Sequence, residues 1–88
     1  MKVQFRTSFT KDLRSIEDKD LLTRISEAIT DVENAQSLQD IANLKKLKGK
    51  NGYYRLRVGD FRLGLVAVDD EVTFVRCLNR REIYRYFP

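Results

Sequence analysis

Three arginines, Arg55, Arg57 and Arg62, are the residues best suited to chemistry in this chain, and they lie in a basic stretch at positions 45–62. The stretch holds four lysines and three arginines, and its one acidic residue is Asp60. A guanidinium donates hydrogen bonds in a planar fork that matches two phosphate oxygens at once. The stretch is therefore predicted to bind a polyanion, and the chemistry to expect is chemistry at phosphate.

Two strand-like segments joined by a tight turn set the positions of these arginines. Tyr53–Val58 and Phe61–Val68 have strand patterns, and Gly59-Asp60 between them suits a two-residue type II′ hairpin turn with glycine first. In this register Arg57 lies directly opposite Arg62. Because like charges opposite each other on neighbouring strands are destabilising, we predict that this pair serves binding rather than stability.

Arg55 is predicted to lie opposite Gly64 on the same face of the sheet, away from the helices. Glycine would leave an open position there, where the backbone of a ligand could approach. The alternative interpretation is that the three arginines only keep an exposed sheet face soluble. Such faces usually mix charges of both signs, whereas the one nearby acid here is the turn residue Asp60.

The overall composition predicts a single globular domain, residues 1–88, with a net charge of +4. The charge is uneven, because residues 45–88 carry eleven basic and five acidic side chains. A basic half is typical of a nucleic-acid or phosphate surface, although a solvated surface would also account for it. No apolar run is long enough for a membrane span or a signal peptide, so we expect a cytoplasmic protein with no membrane partner.

The chain has no histidine, and Cys77 is its only cysteine. This excludes Ser-His-Asp and Cys-His catalysis, an internal disulfide and a cysteine–histidine metal cluster. We interpret Cys77 as a small buried hydrophobic residue, the alternative being a nucleophile. No cofactor and no metal are expected.

The hydrophobic periodicity predicts an α+β fold with the order β-α-α-β-β-β. In this fold a small, mainly antiparallel sheet has a helical hairpin packed on one face. Residues 2–6 read as an edge strand, and Thr7 or Ser8 is expected to cap the first helix. Asp18 and Asp20 are expected to begin a longer second helix.

The last strands follow a connecting segment that is expected to hold one helical turn. Alternation in them places a core face on one side, formed by Leu63, Leu65, Val72 and Phe74. The opposite face is expected to carry an apolar floor of Val66, Val75 and Cys77. Arg76 then falls on the core face, which predicts a β-bulge or an exposed strand end there.

The C-terminal segment adds more basic and aromatic side chains after the last strand, namely Arg80, Arg81, Tyr84, Arg85 and Tyr86. The last strand is expected to neighbour the one before it, so this segment can fold back near Arg62. The Tyr84 side chain would then meet a phosphate or a base. The alternative is that its ring simply packs at the sheet edge.

These motifs resemble the RelE/ParE superfamily of bacterial type II toxins. The resemblance rests on Leu47-Lys48-Gly49, on Tyr54-Arg55-Leu56-Arg57-Val58-Gly59-Asp60-Phe61-Arg62-Leu63 and on Arg80-Arg81-Glu82-Ile83-Tyr84-Arg85, and it covers nearly the whole chain. It implies a ribosome-dependent endoribonuclease that cuts mRNA and is held inactive by a cognate antitoxin. ParE-like members share the fold, poison DNA gyrase and lack the ribonuclease residues.

The resemblance also implies a set of site residues. Arg55 and Arg57 match paired basic positions that are usually lysines in the best-known member, and arginine there weakens any proton-transfer role. Arg62 matches an arginine on the third strand and Tyr84 a C-terminal tyrosine. Arg80 is chosen for the arginine of the fourth strand, with Arg81 nearly as good.

A metal-independent mechanism is available to such a set, because RNA carries its own nucleophile. A 2′-hydroxyl can attack the adjacent phosphorus while Arg57 and Arg62 stabilise the phosphorane. Arg80 would neutralise the leaving 5′-oxygen, and Tyr84 would stack on a base or orient the 2′-hydroxyl. Contacts to RNA or the ribosome are assigned to the remaining basic residues, Lys45, Lys46, Lys48, Lys50, Arg81 and Arg85.

Two alternatives stay open from the sequence. The lysines could serve only the solubility of their loop. The protein as a whole could be a gyrase poison or a non-enzymatic RNA-binding module.

Overall fold

The computed structural model describes all residues, 1–88, and its elements follow one another along the chain as a strand, two helices, four strands and a short helix. They are β1 (Lys2–Phe5), α1 (Thr7–Arg14), α2 (Lys19–Asn34), a 3₁₀ turn (Leu38–Asp40), β2 (Leu44–Lys46), β3 (Tyr53–Val58), β4 (Phe61–Val68), β5 (Glu71–Asn79) and α3 (Ile83–Tyr86). The sheet order is β1-β5-β4-β3-β2. Only β1 and β5 are parallel, so the predicted α+β class is confirmed.

One strand was missing from the prediction. The segment before the lysine-rich loop was expected to be a connection with one helical turn, and the 3₁₀ turn is present. However, Leu44–Lys46 forms β2, the outermost strand beside β3, with Lys45 opposite Arg55. A strand of three residues with two lysines has too little alternation to stand out in the sequence.

The two helix starts differ in how they are capped. As predicted, α2 begins at an aspartate, since the Asp18 carboxylate accepts a hydrogen bond from the Leu21 N–H at 3.1 Å. The expected cap of α1 by Thr7 or Ser8 is wrong, because Arg6 occupies the N-cap and makes no side-chain capping bond. The Ser8 hydroxyl donates instead to the Val75 carbonyl on β5, which ties α1 to the sheet.

The main core lies between the helices and one face of the sheet. Phe9 of α1 and Ile25 and Val32 of α2 are essentially fully buried in it. The predicted core-face residues of β4 and β5 are buried there too: Leu63, Leu65, Val72 and Phe74. None of the helices has both the length and the hydropathy needed to cross a membrane.

A β-bulge at Val75 corrects the predicted face of Cys77. Gly64 lies opposite Arg76 while Leu65 lies opposite Phe74, so Val75 is the extra residue in β5. The extra residue inverts the alternation beyond it, and Cys77 therefore lies in the main core rather than on the opposite face. The bulge predicted from the placement of Arg76 is confirmed.

Asp12 of α1 stabilises the bulged segment. Its carboxylate accepts hydrogen bonds from Arg76 Nε at 2.8 Å and Arg76 Nη2 at 3.1 Å, and from the Cys77 N–H at 2.9 Å. The ion pair raises the pKa of Arg76, chiefly through its hydrogen bond to Asp12. The Arg76 guanidinium is thus held by Asp12 as part of the fold and is not available to bind a ligand.

Candidate active site

The face of the sheet opposite α1 and α2, here called the outer face, carries an open depression of about 450 Å³. Its lining is predominantly cationic and polar, and consists of Asn43, Leu44, Lys45, Arg55, Arg57, Arg62 and Tyr84. Four of the five predicted catalytic residues and one predicted RNA-binding lysine are therefore brought together. We call Arg55, Arg57 and Arg62 the arginine cluster.

The strand register opposes like charges twice within this depression. Arg57 lies opposite Arg62 across β3 and β4, as predicted from the two-residue turn. Lys45 lies opposite Arg55 across β2 and β3, which the sequence did not predict because β2 was missed. The only salt bridge in the protein joins Arg76 and Asp12, so no carboxylate neutralises any of these four cations. The depression is therefore a concentrated positive site.

Neutral oxygen acceptors fix two of the guanidiniums. Arg57 Nη2 donates to Asn43 Oδ1 at 3.1 Å. Arg62 Nη1 donates to the carbonyls of Gly59 and Phe61 at 3.1 and 3.0 Å, across the hairpin turn. These bonds orient the groups without cancelling their charge, and they leave further N–H donors available.

Arg55 differs from the other two arginines in having a buried donor without an acceptor. Its Nε is buried and has no hydrogen-bond partner. Buried donors are nearly always satisfied in native proteins, so this one is an exception. No carboxylate pairs with this guanidinium either, so its charge is not neutralised within the protein.

Tyr84 closes one side of the depression. The Arg55 guanidinium lies over its ring, 4.6 Å from the ring centroid, while the tyrosine side chain stays 69% exposed. The ring is thus mostly open to solvent and not packed against the sheet. Tyr84 and Arg55 form a cation–π pair at the rim of the site.

The pKa of the Tyr84 hydroxyl is lowered by Arg55, first as a hydrogen-bond donor and then as a positive charge, and Arg62 and Lys45 add to the effect. The shift therefore reports how close the phenol lies to the cations of β2, β3 and β4.

Asn43 is a site residue that sequence reasoning missed. It has a left-handed backbone, with φ of 65°, immediately before β2. Asparagine tolerates this conformation better than most residues. Its carbonyl accepts from the Arg57 N–H at 3.1 Å and its side chain holds the guanidinium of the same residue. An asparagine before Leu-Lys-Lys was a faint signal, and its meaning depended on the unrecognised strand.

Six predicted residues lie outside the lining of the depression, namely the arginines Arg80, Arg81 and Arg85 and the loop lysines Lys46, Lys48 and Lys50. Arg80 follows β5 directly and is exposed, and its N–H donates to the Asp60 carbonyl at 2.8 Å. The Arg81 N–H donates to Asn79 Oδ1 at 3.0 Å, and both Arg81 and Arg85 are exposed. Their predicted roles stay predictions.

The loop between β2 and β3 forms a second basic surface. A shallow depression of about 570 Å³ lies here, lined by Lys46, Leu47, Lys48, Gly49, Lys50 and Asn51. Lys50 Nζ sits 5.4 Å from the centroid of the Tyr53 ring. Of the four lysines in this stretch, Lys45 lines the depression that holds the arginine cluster. The other three, Lys46, Lys48 and Lys50, line the second depression.

The position above Gly64 is not open to a ligand, contrary to the prediction. A Cβ added at Gly64 would lie only 2.7 Å from Cγ of Phe87. The C-terminal segment fills the notch that glycine leaves, and Phe87 is 4% exposed. Residues near the chain terminus could not be placed against the sheet from periodicity alone.

Neither the cysteine nor any acidic cluster adds a reactive centre. Burial raises the pKa of the Cys77 thiol to about 12, so it stays protonated near neutral pH, as expected of a buried hydrophobic residue. No three side chains among histidine, cysteine, aspartate and glutamate come together in a way that could hold a metal ion.

Comparison with known proteins places the chain in a family. Residues 3–84 match the family described as the ParE toxin of type II toxin–antitoxin systems, parDE. The chain belongs to the RelE/ParE superfamily of type II toxins. Within the superfamily it is 42% identical, over the full length of both chains, to toxin RelE3 of Methanocaldococcus jannaschii, which places it with the RelE toxins.

Solved structures of the superfamily share the fold. A RelB–RelE antitoxin–toxin complex from Methanococcus jannaschii matches with a TM-score of 0.81 and 38% identity, covering 97% of this chain and 99% of that one. An archaeal RelE–RelB complex from Pyrococcus horikoshii matches with a TM-score of 0.73, covering 90% of this chain and 93% of that one. At 23% identity the second likeness shows the fold alone.

Proposed function

We propose that this toxin is a ribosome-dependent, metal-independent endoribonuclease that cleaves mRNA and is neutralised by a cognate antitoxin. The observation that carries the proposal is the arginine cluster with Tyr84 in one depression that contains no carboxylate. A site of this kind suits the anionic phosphorane formed when RNA is cut. The likeness to RelE toxins supports the choice of substrate.

In the proposed reaction the 2′-hydroxyl gives its proton to water as its oxygen bonds to phosphorus. The bond from phosphorus to the 5′-oxygen breaks, and that oxygen takes up a proton from water, leaving a 2′,3′-cyclic phosphate and a 5′-hydroxyl. Arg57 and Arg62 hold the non-bridging oxygens, and Tyr84 stacks on a base or orients the 2′-hydroxyl. Arginine does not exchange protons near neutral pH, so the cluster acts through charge and position. Arg80 is kept as the group that neutralises the leaving oxygen, and we expect the ribosome to arrange the RNA.

The surfaces around the site have proposed partners of their own. The loop lysines Lys46, Lys48 and Lys50, together with Arg81 and Arg85, would contact ribosomal RNA. The antitoxin would supply an acidic or amphipathic segment that covers or distorts the basic face. The likeness to a toxin solved as a RelB–RelE antitoxin–toxin complex supports this partner.

A gyrase poison is the second candidate, favoured by the match to a family described as the ParE toxin. Expression in a bacterial host followed by mapping of mRNA 5′ ends separates the two. Codon-phased cuts that vanish in Arg62→Ala and Tyr84→Ala, but persist in Lys19→Ala, support the endoribonuclease. Lys19 is exposed at the start of α2, away from the outer face. Its substitution by alanine removes one positive charge, as Arg62→Ala does, and so serves as the matched control.

The other outcomes of the same experiment assign the other functions. Growth arrest with intact mRNA and cleaved DNA would establish the gyrase poison and overturn the endoribonuclease. RNA binding by the purified protein without any cut, on or off the ribosome, would indicate a binding module.

A further inference from the structure

The placement of Tyr84 cannot come from its own helix. Helix α3 has only four residues, Ile83–Tyr86, and a helix this short is not stable by itself in water. Tyr84 is also largely exposed, so it has little packing to fix its ring. What holds the tyrosine over Arg55 must therefore be sought in how α3 is docked on the sheet.

Two apolar side chains at the ends of α3 are buried, and one of them contacts the outer face. Ile83 is fully buried and Phe87 is 4% exposed, although neither belongs to the main core between helices and sheet. The Phe87 N–H donates to the Ile83 carbonyl at 2.9 Å, which closes the helical turn. The ring of Phe87 also packs against Tyr53 of β3, with ring centroids 5.7 Å apart.

The Phe87 ring packs over Gly64, and we call this contact the Gly64–Phe87 seat. A Cβ built there would lie 2.7 to 2.8 Å from three atoms of the ring, closer than real Cβ contacts come, so the ring occupies the space of the absent side chain. Gly64 is the direct cross-strand partner of Arg55. The C-terminal segment therefore contacts both members of one cross-strand pair. Tyr84 contacts Arg55, and Phe87 contacts Gly64.

We propose that the Gly64–Phe87 seat is a positioning device that sets the Tyr84 ring over Arg55, and that Phe87 is a positioning residue for the cleavage reaction. Phe87 lines no part of the arginine depression, so it acts through Tyr84. The effect on cleavage rests on the proposed endoribonuclease function. The effect on the position of Tyr84 does not.

The test uses the full-length toxin labelled with ¹³C-tyrosine, with the Tyr84 ring resonances assigned from the Tyr84→Phe variant. In the native protein we expect Tyr84 to titrate below the ordinary tyrosine pKa, because it faces Arg55, Arg62 and Lys45. In Phe87→Ala and Gly64→Ala its resonances should move to those of a free tyrosine and its pKa should return to the ordinary range. The control Val68→Ala truncates an exposed residue of β4, the strand that holds Gly64. It should change neither the resonances nor the pKa of Tyr84.

A size exchange makes the test specific to the seat. Phe87→Leu keeps an apolar plug and should retain most of the native Tyr84 signature. In the double variant Gly64→Ala, Phe87→Leu the smaller leucine leaves room for the added methyl group. This variant should recover part of the native Tyr84 resonances and pKa that Gly64→Ala loses. If Gly64→Ala fails to fold, Phe87→Ala and Phe87→Leu decide the question, since Phe87 lies outside the main core.

Cleavage of ribosome-bound mRNA supplies the second readout. Misplacing a reacting group by about 1 Å can cost about 10²-fold in rate, so we expect a loss of that order in Phe87→Ala with RNA affinity unchanged. Native Tyr84 resonances and pKa in folded Phe87→Ala and Gly64→Ala would overturn the inference. If the Tyr84 signature moves as expected while the unaltered toxin cleaves no RNA, the positioning inference holds and the endoribonuclease proposal fails.

Discussion

Arg57 of β3 lies directly opposite Arg62 of β4, and neither guanidinium has a carboxylate partner. Lys45 and Arg55 repeat the arrangement on the neighbouring strand pair. Each opposed pair of like charges lowers the stability of the sheet, and neutral oxygens alone hold Arg57 and Arg62 in place. A protein under pressure for stability alone would not place its charges in this way, which supports the proposal that the outer face binds an anion.

Reversing one charge of the pair should separate stability from function. We expect Arg57→Glu to be more stable than Arg57→Gln by about 0.2–1 kcal/mol, because only the glutamate attracts Arg62 across the strands. Urea unfolding at low ionic strength measures the difference, which should shrink as salt is added. Both variants should lose RNA cleavage. A glutamate variant no more stable than the glutamine variant would show that Arg57 and Arg62 do not repel each other appreciably.

The sequence predicted the centre of this arrangement well. The bounds of β3 and β4 and the opposition of Arg57 and Arg62 follow from a period of two residues and a two-residue turn, which together allow one register. Gly59 adopts the positive φ of 58° that the turn needs at its first position. Where local geometry fixes the register, side chains on one sheet face can be placed from sequence.

The errors share one cause, since each depended on contacts between distant parts of the chain. The bulge at Val75, which moves Cys77 into the main core, is tied to the distant Asp12 of α1 through Arg76 and the Cys77 N–H. Gly64 was predicted to be open because nothing local indicates that Phe87 would fill it. Strand β2 forms because β3 offers it a pairing edge, and its own three residues do not predict it.

Removing the carboxylate that ties α1 to the bulge should destabilise the fold. Asp12→Ala leaves the half-buried Arg76 guanidinium and the Cys77 N–H without their acceptor. Hydrogen bonds to charged groups contribute about 1.5–3 kcal/mol each. We therefore expect the free energy of unfolding to fall by at least about 1.5 kcal/mol. Urea denaturation tests this, with the exposed Asp70→Ala as control. A loss below about 0.5 kcal/mol, ordinary for a surface site, would show that Asp12 is dispensable.

The buried thiol makes a definite contribution to the dependence of stability on pH. Its folded pKa is raised to about 12 from the ordinary 9.0, so the unfolded chain loses this proton first as pH rises. The Cys77 contribution is complete below pH 9.0 and is lost between pH 9.0 and about 12. The fall should approach about 1.4 kcal/mol per pH unit within that window.

Comparison with Cys77→Ala isolates this contribution from lysines and tyrosines that titrate nearby. The difference in unfolding free energy between the native protein and the variant should be constant from pH 6 to 8 and should shrink from pH 9.5 upward. Reaction with a thiol reagent at pH 8 should likewise be slow until the protein unfolds. Fast labelling of the native protein would contradict the buried placement of Cys77.

The loop lysines should act as a general electrostatic surface, unlike the arginine cluster. Each lysine that neutralises a phosphate contributes about 0.7 to the slope of log affinity against log salt for single strands. The double variant Lys48→Ala, Lys50→Ala should therefore lower that slope by about 1.4. Binding to a 2′-O-methyl oligoribonucleotide, which cannot be cut by 2′-hydroxyl attack, is the measurement. An unchanged slope would assign these lysines to loop solubility, and Lys19→Ala serves as the single-charge control.

The central claim is that the arginine cluster and Tyr84 cut RNA that the ribosome presents. The most direct test is the single-turnover cleavage rate of a defined, end-labelled mRNA on purified programmed ribosomes. We expect cleavage by the native toxin, with rates about 10²–10³-fold lower in Arg57→Ala and Arg62→Ala and unchanged in Lys19→Ala. Native rates in the two arginine variants, or no cleavage by the unaltered toxin on any programmed ribosome, would contradict the claim.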